Sequence, residues 1–478
     1  MRRVFRWLSV LLTLAVVAAA GVVGYGLGWF DSVLGDSDAD PAAVAEPWQS
    51  PAPSPSAVAL STATPDAAKV RAALRGLLSA DDLGAHVVGE VASVTGVPLI
   101  TMGSGAATPA STTKVLTAAA ALHVYGAEAT FSTTLLSSAP ATATGIGRLV
   151  LVGGGDPLLS SKPVKDELLP RADVTTLAKA AAVRLKAAGS TRVRLSYDDS
   201  LFEGPATSPT WPASYVSEDV VSPVGALRVD EGRLKDGRDL TPALTASRKV
   251  AAVLRSQGIA VAKAIKPAAA GSAAGEEIAR VSSAPLRDLV QHTLETSDND
   301  AAETLAHLVG AKAGAGSFAG GAAATRTALT ELGVPLEAVT LYDGSGLSRK
   351  DWITPAALTS VLSRATTDPD LQSLVYGLPV AGFSGSLLER FTDSGAEAGL
   401  GLVRAKTGTL TGVSALAGFV ADADGTPMIY VVMADQVPVA KMLAARGALD
   451  DAAAALAACH CSTGVPASPS DAPTPPSP

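Results

Sequence analysis

The chain has 478 residues, a formal charge of −8 from 37 Lys and Arg against 45 Asp and Glu, 47% hydrophobic residues and only 4% aromatics. An apolar content weighted toward alanine excludes a mainly disordered protein and suits packed helices, and the length allows about three domains of roughly 150 residues. With no basic run in the body to neutralise phosphates, nucleic acid is not an expected partner.

Arg2, Arg3 and Arg6 precede an uncharged stretch of 24 residues from Trp7 to Phe30, long enough to cross a hydrocarbon core that needs about 20. Residues 1–30 are expected to form a signal anchor with its basic flank in the cytoplasm. Val17 to Gly21 also fits a cleavage site, and on either reading the remainder is exported. Residues 31–66, rich in Ala, Pro, Ser and Asp as in PAPSPS, read as an unstructured spacer, and 462–478 as a tail of like composition.

From Ala67 regular elements begin. AAKVRAALRGLLSA predicts a helix, and HVVGEVASV and VPLITMGSG predict a hairpin about Thr95-Gly96. In PASTTKVLTAAAALHVYG, Pro109 and the Ser/Thr cluster give helix-start chemistry, and the helix from Val115 to Tyr125 stops at Gly126. Strand runs RLVLVGG and RVRLSYDD alternate with VTTLAKAAAVRLKAAG, so residues 131–275 read as an inserted α/β unit with an exit linker at Ala268 to Gly275. Helices return in APLRDLVQHTLETSDNDAAETLAHLVGAK, broken near Ser297, and in TPAALTSVLSRATT. GLVRAKTG, VSALAGFVADA and TPMIYVVMAD predict an antiparallel meander, closed by a helix from Val439 to Ala458. The fold class is therefore α+β, an antiparallel sheet flanked by helices (67–130 with 276–461) carrying the smaller α/β insertion.

Several catalytic patterns are missing from the sequence: a Gly-x-Ser-x-Gly elbow, a His-Glu-x-x-His helix and a Walker-type loop. His86, His123, His292 and His307 are scattered and read as structural. Cys459 and Cys461 cannot staple a fold of this size, and Cys459-His460-Cys461 at a helix end beside the tail makes a poor metal cage, so neither a metal nor a cofactor is expected.

One constellation remains: Ser111-Thr112-Thr113-Lys114, Ser297-Asp298-Asn299 and Lys406-Thr407-Gly408. Residues three apart share a helix face, so a desolvated Lys114 beside Ser111 can lose its own proton and take the hydroxyl's. The alternative is an N-capping serine with an exposed lysine. Against it, Lys114 is the only lysine with a serine three residues before it, and Asn299 is the only asparagine in the chain. The Asn299 amide supplies donor and acceptor together, suiting it to hold a substrate amide and Lys114. Ser297 is suited to passing a proton to a leaving group. Lys406 and Thr407 can hold a carboxylate, with Gly408 expected to leave room for a substrate backbone. The N–H groups of Thr409 and Ser111 would form an oxyanion hole, typically worth ~3 kcal/mol per donor.

In this order the three motifs resemble the signature of penicillin-binding proteins and serine β-lactamases. LVGGGDPLL, YDDSLFEGP, SPVGALRVDEGR, DGSGLSR, LPVAGFSGSL and VRAKTGTLTGVSALAGFV are similar to class C penicillin-binding proteins, the D-alanyl-D-alanine carboxypeptidase/endopeptidases. The 186-residue step from Ser111 to Ser297 agrees with that subclass, which carries an insertion there. This chain departs from typical members in passing from VDEGR almost directly to a helix, as if a further nested domain were missing or reduced. The resemblance implies Ser111 as nucleophile, Lys114 as base, Ser297 as relay, Asn299 as clamp, and Lys406, Thr407, Gly408 and Thr409 at the substrate. It also implies Arg349 at the peptide side chain, with Glu218 or Asp219 as acidic counterparts. The expected substrates are peptidoglycan stem peptides ending in D-Ala-D-Ala, with cross-bridges as an extension, and β-lactams would be covalent inhibitors. A hydrolytic β-lactamase and a catalytically idle wall-binding protein are the alternatives.

Overall fold

The computed structural model describes residues 63–463 except 79, 140–145, 166–168, 269–273 and 394. The expected anchor, the spacer as far as 62 and the tail from 464 lie outside the described residues, among which no helix is long and apolar enough to cross a membrane. Helix α1 (Ala67–Ala73) leads to the hairpin β1 (Val87–Ser93) and β2 (Pro98–Met102), and a 3-10 turn at Ala110–Thr112 runs straight into α2 (Thr113–Tyr125). Next come β3 (Ser132–Ala139), β4 (Gly147–Val152), α3 (Val174–Ala187), β5 (Arg192–Asp198), α4 (Pro242–Ser256) and β6 (Glu276–Ser282). The chain closes with α5 (Leu286–Glu295), α6 (Asn299–Lys312), α7 (Phe318–Glu331), α8 (Pro355–Ala365), β7 (Val403–Leu410), β8 (Val413–Ala421), β9 (Pro427–Ala434) and α9 (Met442–Ala458).

The larger sheet is antiparallel in the order β7-β8-β9-β1-β2, so strands from both ends of the chain pair through β9 and β1. Its two faces explain the unbroken apolar run PMIYVVMA, because a strand sends alternate side chains to opposite sides. Ile429, Val431 and Met433 join a core with α2, α5 and α8, whereas Met428, Tyr430, Val432 and Ala434 join a second core with α1 and α9. Within the first, α2 is buried on every side from Thr113 to Leu122, where its four consecutive alanines allow close neighbours. Helix α7, which the sequence did not announce, also packs backbone to backbone. A Cβ on Gly320 would lie 2.0 Å from the Ala315 carbonyl oxygen, and one on Gly321 2.7 Å from that of Ala306 in α6.

The insertion is a six-stranded mixed sheet, with β3 antiparallel to β4 and β6, β4 parallel to β5, and α3 and α4 packed on its core. Its sheet runs to Ser282 rather than ending at 275, because EEIARVS pairs with Ser132–Ser137. Residues 199–241 differ from the expected α/β pattern more deeply. They add no strand to the inserted sheet: Leu227 and Val229 stay in its core, while Trp211, Val221 and Val224 pack against Phe318 and Leu347. The folded body also exceeds 67–461 at both ends, since Thr64–Pro65 pairs with Ser462–Thr463. Cys459 and Cys461, considered above as metal ligands, are joined in a disulfide beside that pairing.

Asp300, the second residue of α6, ties residues 199–241 to the helix that starts at Asn299. Its carboxylate accepts hydrogen bonds from Ser222 N–H (2.8 Å), Arg228 (3.2 Å) and Arg238 (2.9 Å), with Asp300, Arg228 and Arg238 all buried. Removing one partner strands the buried charges left behind. Asp300→Ala is expected to lose ~3–5 kcal/mol in urea unfolding; a loss below about 1 kcal/mol would mean that apolar packing alone holds the segment.

Candidate active site

Ser111 sits in the 3-10 turn ahead of α2, and the preceding Ala110 has φ +48°. That strained turn is gripped from two sides. A Cβ on Gly346 (φ +80°) would meet the Ala110 carbonyl oxygen at 1.8 Å, and one on Gly408 would meet that of Pro109 at 2.5 Å. Gly408 therefore admits the turn that carries Ser111, a need for glycine that the sequence did not show. Ser111 is not an N-cap, since Pro109 caps the turn and Thr112 caps α2, neither through its side chain, and Lys114 is fully buried, so the capping alternative fails.

Lys114 Nζ lies 2.9 Å from Ser111 Oγ, 2.8 Å from Asn299 Oδ1 and 2.8 Å from the Ser345 carbonyl oxygen. Burial pushes this amine down to about 8, with Glu303, Asp343, Asp298 and Asp300 pulling the other way. Asn299 Nδ2 donates to the Val220 carbonyl (3.0 Å), which orients the amide so that its oxygen faces Lys114. Asp298 caps α6 through Ala301 N–H (3.0 Å). Burial would raise its carboxyl, but His292 and that N–H hold it down at about 2.

Lys406 is fully buried too, and its Nζ donates to Ser297 Oγ (2.8 Å) and to the Thr407 carbonyl (3.0 Å). Burial, and then the charge of Lys114, push it well below the ordinary lysine range. Ser297 itself has φ +58°, a backbone conformation rare outside glycine that persists only where the surroundings impose it. The three motifs thus meet in two hydrogen-bonded pairs, Ser111 with Lys114 and Ser297 with Lys406.

Strand β7 is an edge strand whose first half is covered: Ala405 N–H donates to the Pro379 carbonyl and Val403 C=O accepts from Ala381 N–H, both at 2.9 Å. Backbone groups alternate along a strand, so Thr407 and Thr409 present theirs to the same outer side. Thr407 Oγ1 bonds Ser386 Oγ at 2.8 Å, a partner from LPVAGFSGSL that sequence reasoning had matched without giving it a role. Arg349 is exposed and donates to the Thr411 carbonyl (2.6 Å), at the turn that follows β7. Asp219 pairs with Arg238, not with Arg349. Glu218 is exposed and its backbone N–H bonds the Ser214 carbonyl. No group of His, Cys, Asp and Glu among the described residues is arranged to hold a metal ion.

Sequence reasoning missed three buried carboxyls behind Lys114, namely Glu303, Asp343 and Asp351. Asp343 accepts from Gly346 N–H (2.7 Å), Ser348 N–H (2.6 Å) and the Trp211 indole (2.7 Å), while Asp351 accepts from Tyr342 N–H (2.7 Å). Burial and the neighbouring Asp343 push Asp351 well up. The one signal was DGSGLSR itself, in which an acid next to two glycines marks a tight loop.

The D-Ala-D-Ala carboxypeptidase 3 (S13) family model matches residues 70–239 and 237–456. Carboxypeptidase DacB of Mycolicibacterium smegmatis is 34% identical over 461 residues, covering 94% of this chain and 95% of its own. The D-alanyl-D-alanine carboxypeptidase of an Actinomadura species is 29% identical, covering 68% and 72%. In fold, the chain is similar to penicillin binding protein 4 of Haemophilus influenzae, with a TM-score of 0.66 at 20% identity over 81% of this chain and 98% of that one. A lysine buried against a serine, two further motif residues around it and a family match along nearly the whole folded body agree: the chain belongs to the D-Ala-D-Ala carboxypeptidase 3 (S13) family of serine peptidases.

Proposed function

We propose that this protein is a D-alanyl-D-alanine carboxypeptidase that acts on peptidoglycan stem peptides through an acyl-enzyme at Ser111, and that penicillins acylate the same serine. The observation that carries the reading is the environment of Lys114. A neutral amine has two N–H groups and one lone pair. The carbonyl oxygens of Asn299 and Ser345 take the two N–H groups, which turns the lone pair toward Ser111 Oγ–H at 2.9 Å.

The chemistry follows. Ser111 Oγ attacks the carbonyl of the penultimate D-Ala as its proton passes to Lys114. The oxyanion lies between the N–H groups of Ser111 and Thr409, the latter on the free edge of β7. As the C–N bond breaks, the Ser297–Lys406 pair delivers a proton to the departing D-Ala amine, and water then hydrolyses the ester. The substrate carboxylate is held by Thr407, Thr409 and Lys406, whose amine the arriving carboxylate favours in its charged form, and Arg349 lies at the same end of β7. Support for the substrate class comes from the relatives, among them the Actinomadura D-alanyl-D-alanine carboxypeptidase. A solved structure of the Haemophilus protein in complex with a β-lactam, with a TM-score of 0.58, is similar in fold. Cross-bridge cleavage is the natural extension, since the same bond type is broken there. The uncharged stretch from Trp7 to Phe30 behind Arg2, Arg3 and Arg6 supports export and anchoring to the outer side of the cytoplasmic membrane.

Three outcomes test this reading. Intact mass after adding benzylpenicillin should show a lasting adduct that is lost in Ser111→Ala; rapid turnover of the drug would point to a β-lactamase, and no adduct in the unsubstituted protein to an idle wall-binding protein. Only the neutral amine accepts a proton, so the acylation rate should rise with pH and reach half its plateau near pH 8, and Lys114→Arg should cost roughly 10²–10⁴-fold; a flat profile between pH 6 and 10 would remove Lys114 as base. Lys406→Ala should raise KM for a D-Ala-D-Ala peptide roughly tenfold or more, the loss of about one charge-assisted contact, whereas an unchanged KM would take it out of carboxylate binding.

A further inference from the structure

The mechanism uses none of the carboxyls buried behind Lys114, yet one of them reaches the lysine through a single residue. Glu303 lies one turn into α6 beyond Asn299 and is fully buried. Its carboxylate accepts the N–H of Gly344 (3.1 Å) and of Ser345 (2.8 Å). The carbonyl of that same Ser345 takes a hydrogen bond from Lys114 Nζ (2.8 Å). The Gly344 carbonyl is fixed from the other side by the Thr117 hydroxyl (2.7 Å), one turn of α2 beyond Lys114. Both orientations of the Gly344–Ser345 backbone are thereby pinned between the two helices that carry the catalytic groups.

We propose that Glu303 is a positioning residue for the Ser111–Lys114 pair: it aims the Ser345 carbonyl at the lysine amine and places a negative charge one residue away from it. The inference rests on the acyl-enzyme reading above and deepens it.

Of the two carbonyls that turn the lone pair of Lys114 toward Ser111, one belongs to Asn299, which is fixed by Val220, and the other to Ser345, which is fixed by Glu303. Loss of the Glu303 grip would free the Ser345 carbonyl to rotate, and the lone pair would no longer be directed. A surface acid would not be buried at this cost, because a carboxyl wholly removed from water is retained only with compensating bonds. Electrostatics adds a second, separable effect. A nearby negative charge favours the protonated lysine, and after burial itself Glu303 is the largest influence on Lys114. Burial and Asp343 in turn push the Glu303 carboxyl up, so this charge is itself titratable. Other charged groups bear on the same space: Asp343 and Asp351 from the loop 342–351, Asp298 and Asp300 at the start of α6, Arg228 bonded to Thr304, and His307, whose ring bonds the Glu303 carbonyl oxygen. None of these touches the Gly344–Ser345 N–H groups that Glu303 holds.

Charge and grip can be separated by measuring second-order acylation by benzylpenicillin against pH in the full chain. Glu303→Gln keeps the volume and one acceptor but removes the charge; its half-plateau pH is expected to fall by about one unit, with a lower plateau rate. Glu303→Asp keeps the charge but is too short to hold both N–H groups; its half-plateau pH should stay that of the unsubstituted protein while the rate falls roughly tenfold. A merely structural role would lower the melting temperature and the rate without moving the midpoint. An unmoved midpoint in folded Glu303→Gln, or an undiminished rate in Glu303→Asp, would overturn the proposal. Should Glu303→Gln not fold, Glu303→Asp decides alone by its rate and midpoint. Failure of the parent reading is distinct: it would appear as absence of a Ser111 adduct in the unsubstituted protein.

Discussion

The site depends on one constraint: a lysine amine held entirely away from water among three uncharged oxygens, those of Ser111, Asn299 and Ser345. A carboxylate in contact would have kept Lys114 cationic and useless as a base. The fold instead surrounds it with groups that tolerate either protonation state. An ammonium donates to all three oxygens, and a neutral amine donates to two and accepts from the third. Such a cage lets a proton pass between serine and lysine without rearrangement, as the proposed acyl-enzyme chemistry requires.

The rest of the architecture places those three oxygens. Ser111 comes from a strained turn that Gly346 and Gly408 allow a loop and strand β7 to clasp. Asn299 comes from the start of α6, fixed by the Asp298 cap and by the Asp300 cluster that draws in Val220. Ser345 comes from a loop whose N–H groups are taken up by buried carboxyls. Residues 199–241 bridge the insertion and the active site: Leu227 and Val229 stay in the insertion's core, while the segment supplies both the Val220 carbonyl and the Trp211 indole bonded to Asp343. This explains why a chain can interrupt its catalytic unit between Ser111 and Ser297 without loosening the site.

What could be read in the sequence was whatever is local. Ser111 and Lys114 share a helix turn, Ser297 and Asn299 flank a cap, and β8 and β9 announce themselves as apolar runs; each signal lies within a few residues. What could not be read depends on partners distant in the chain. FAGGAAATRTALTE lacks a strong apolar stripe because α7 is held by glycine-mediated backbone approach to α6. Glu303 looks like an ordinary helix-surface acid until Gly344 and Ser345 are brought against it. The close approach of Pro109 to Gly408 likewise appears only in the folded chain. Residues 199–241 have no periodicity to read, being held by a few anchors such as Trp211 and Arg238 rather than by a repeating face. Asp219 pairs within that segment, with Arg238, a partner that no local pattern announces.

The central claim is that burial lets Lys114 lose its proton in the range where an ordinary lysine stays charged, and it can be observed without substrate. Nitrogen-15 NMR of lysine-labelled protein from pH 6 to 10, with the signal assigned by its loss in Lys114→Arg, reports the protonation of each amine directly. The account predicts that the Lys114 signal titrates with a midpoint near 8; a Lys114 amine still fully protonated at pH 10 would contradict it.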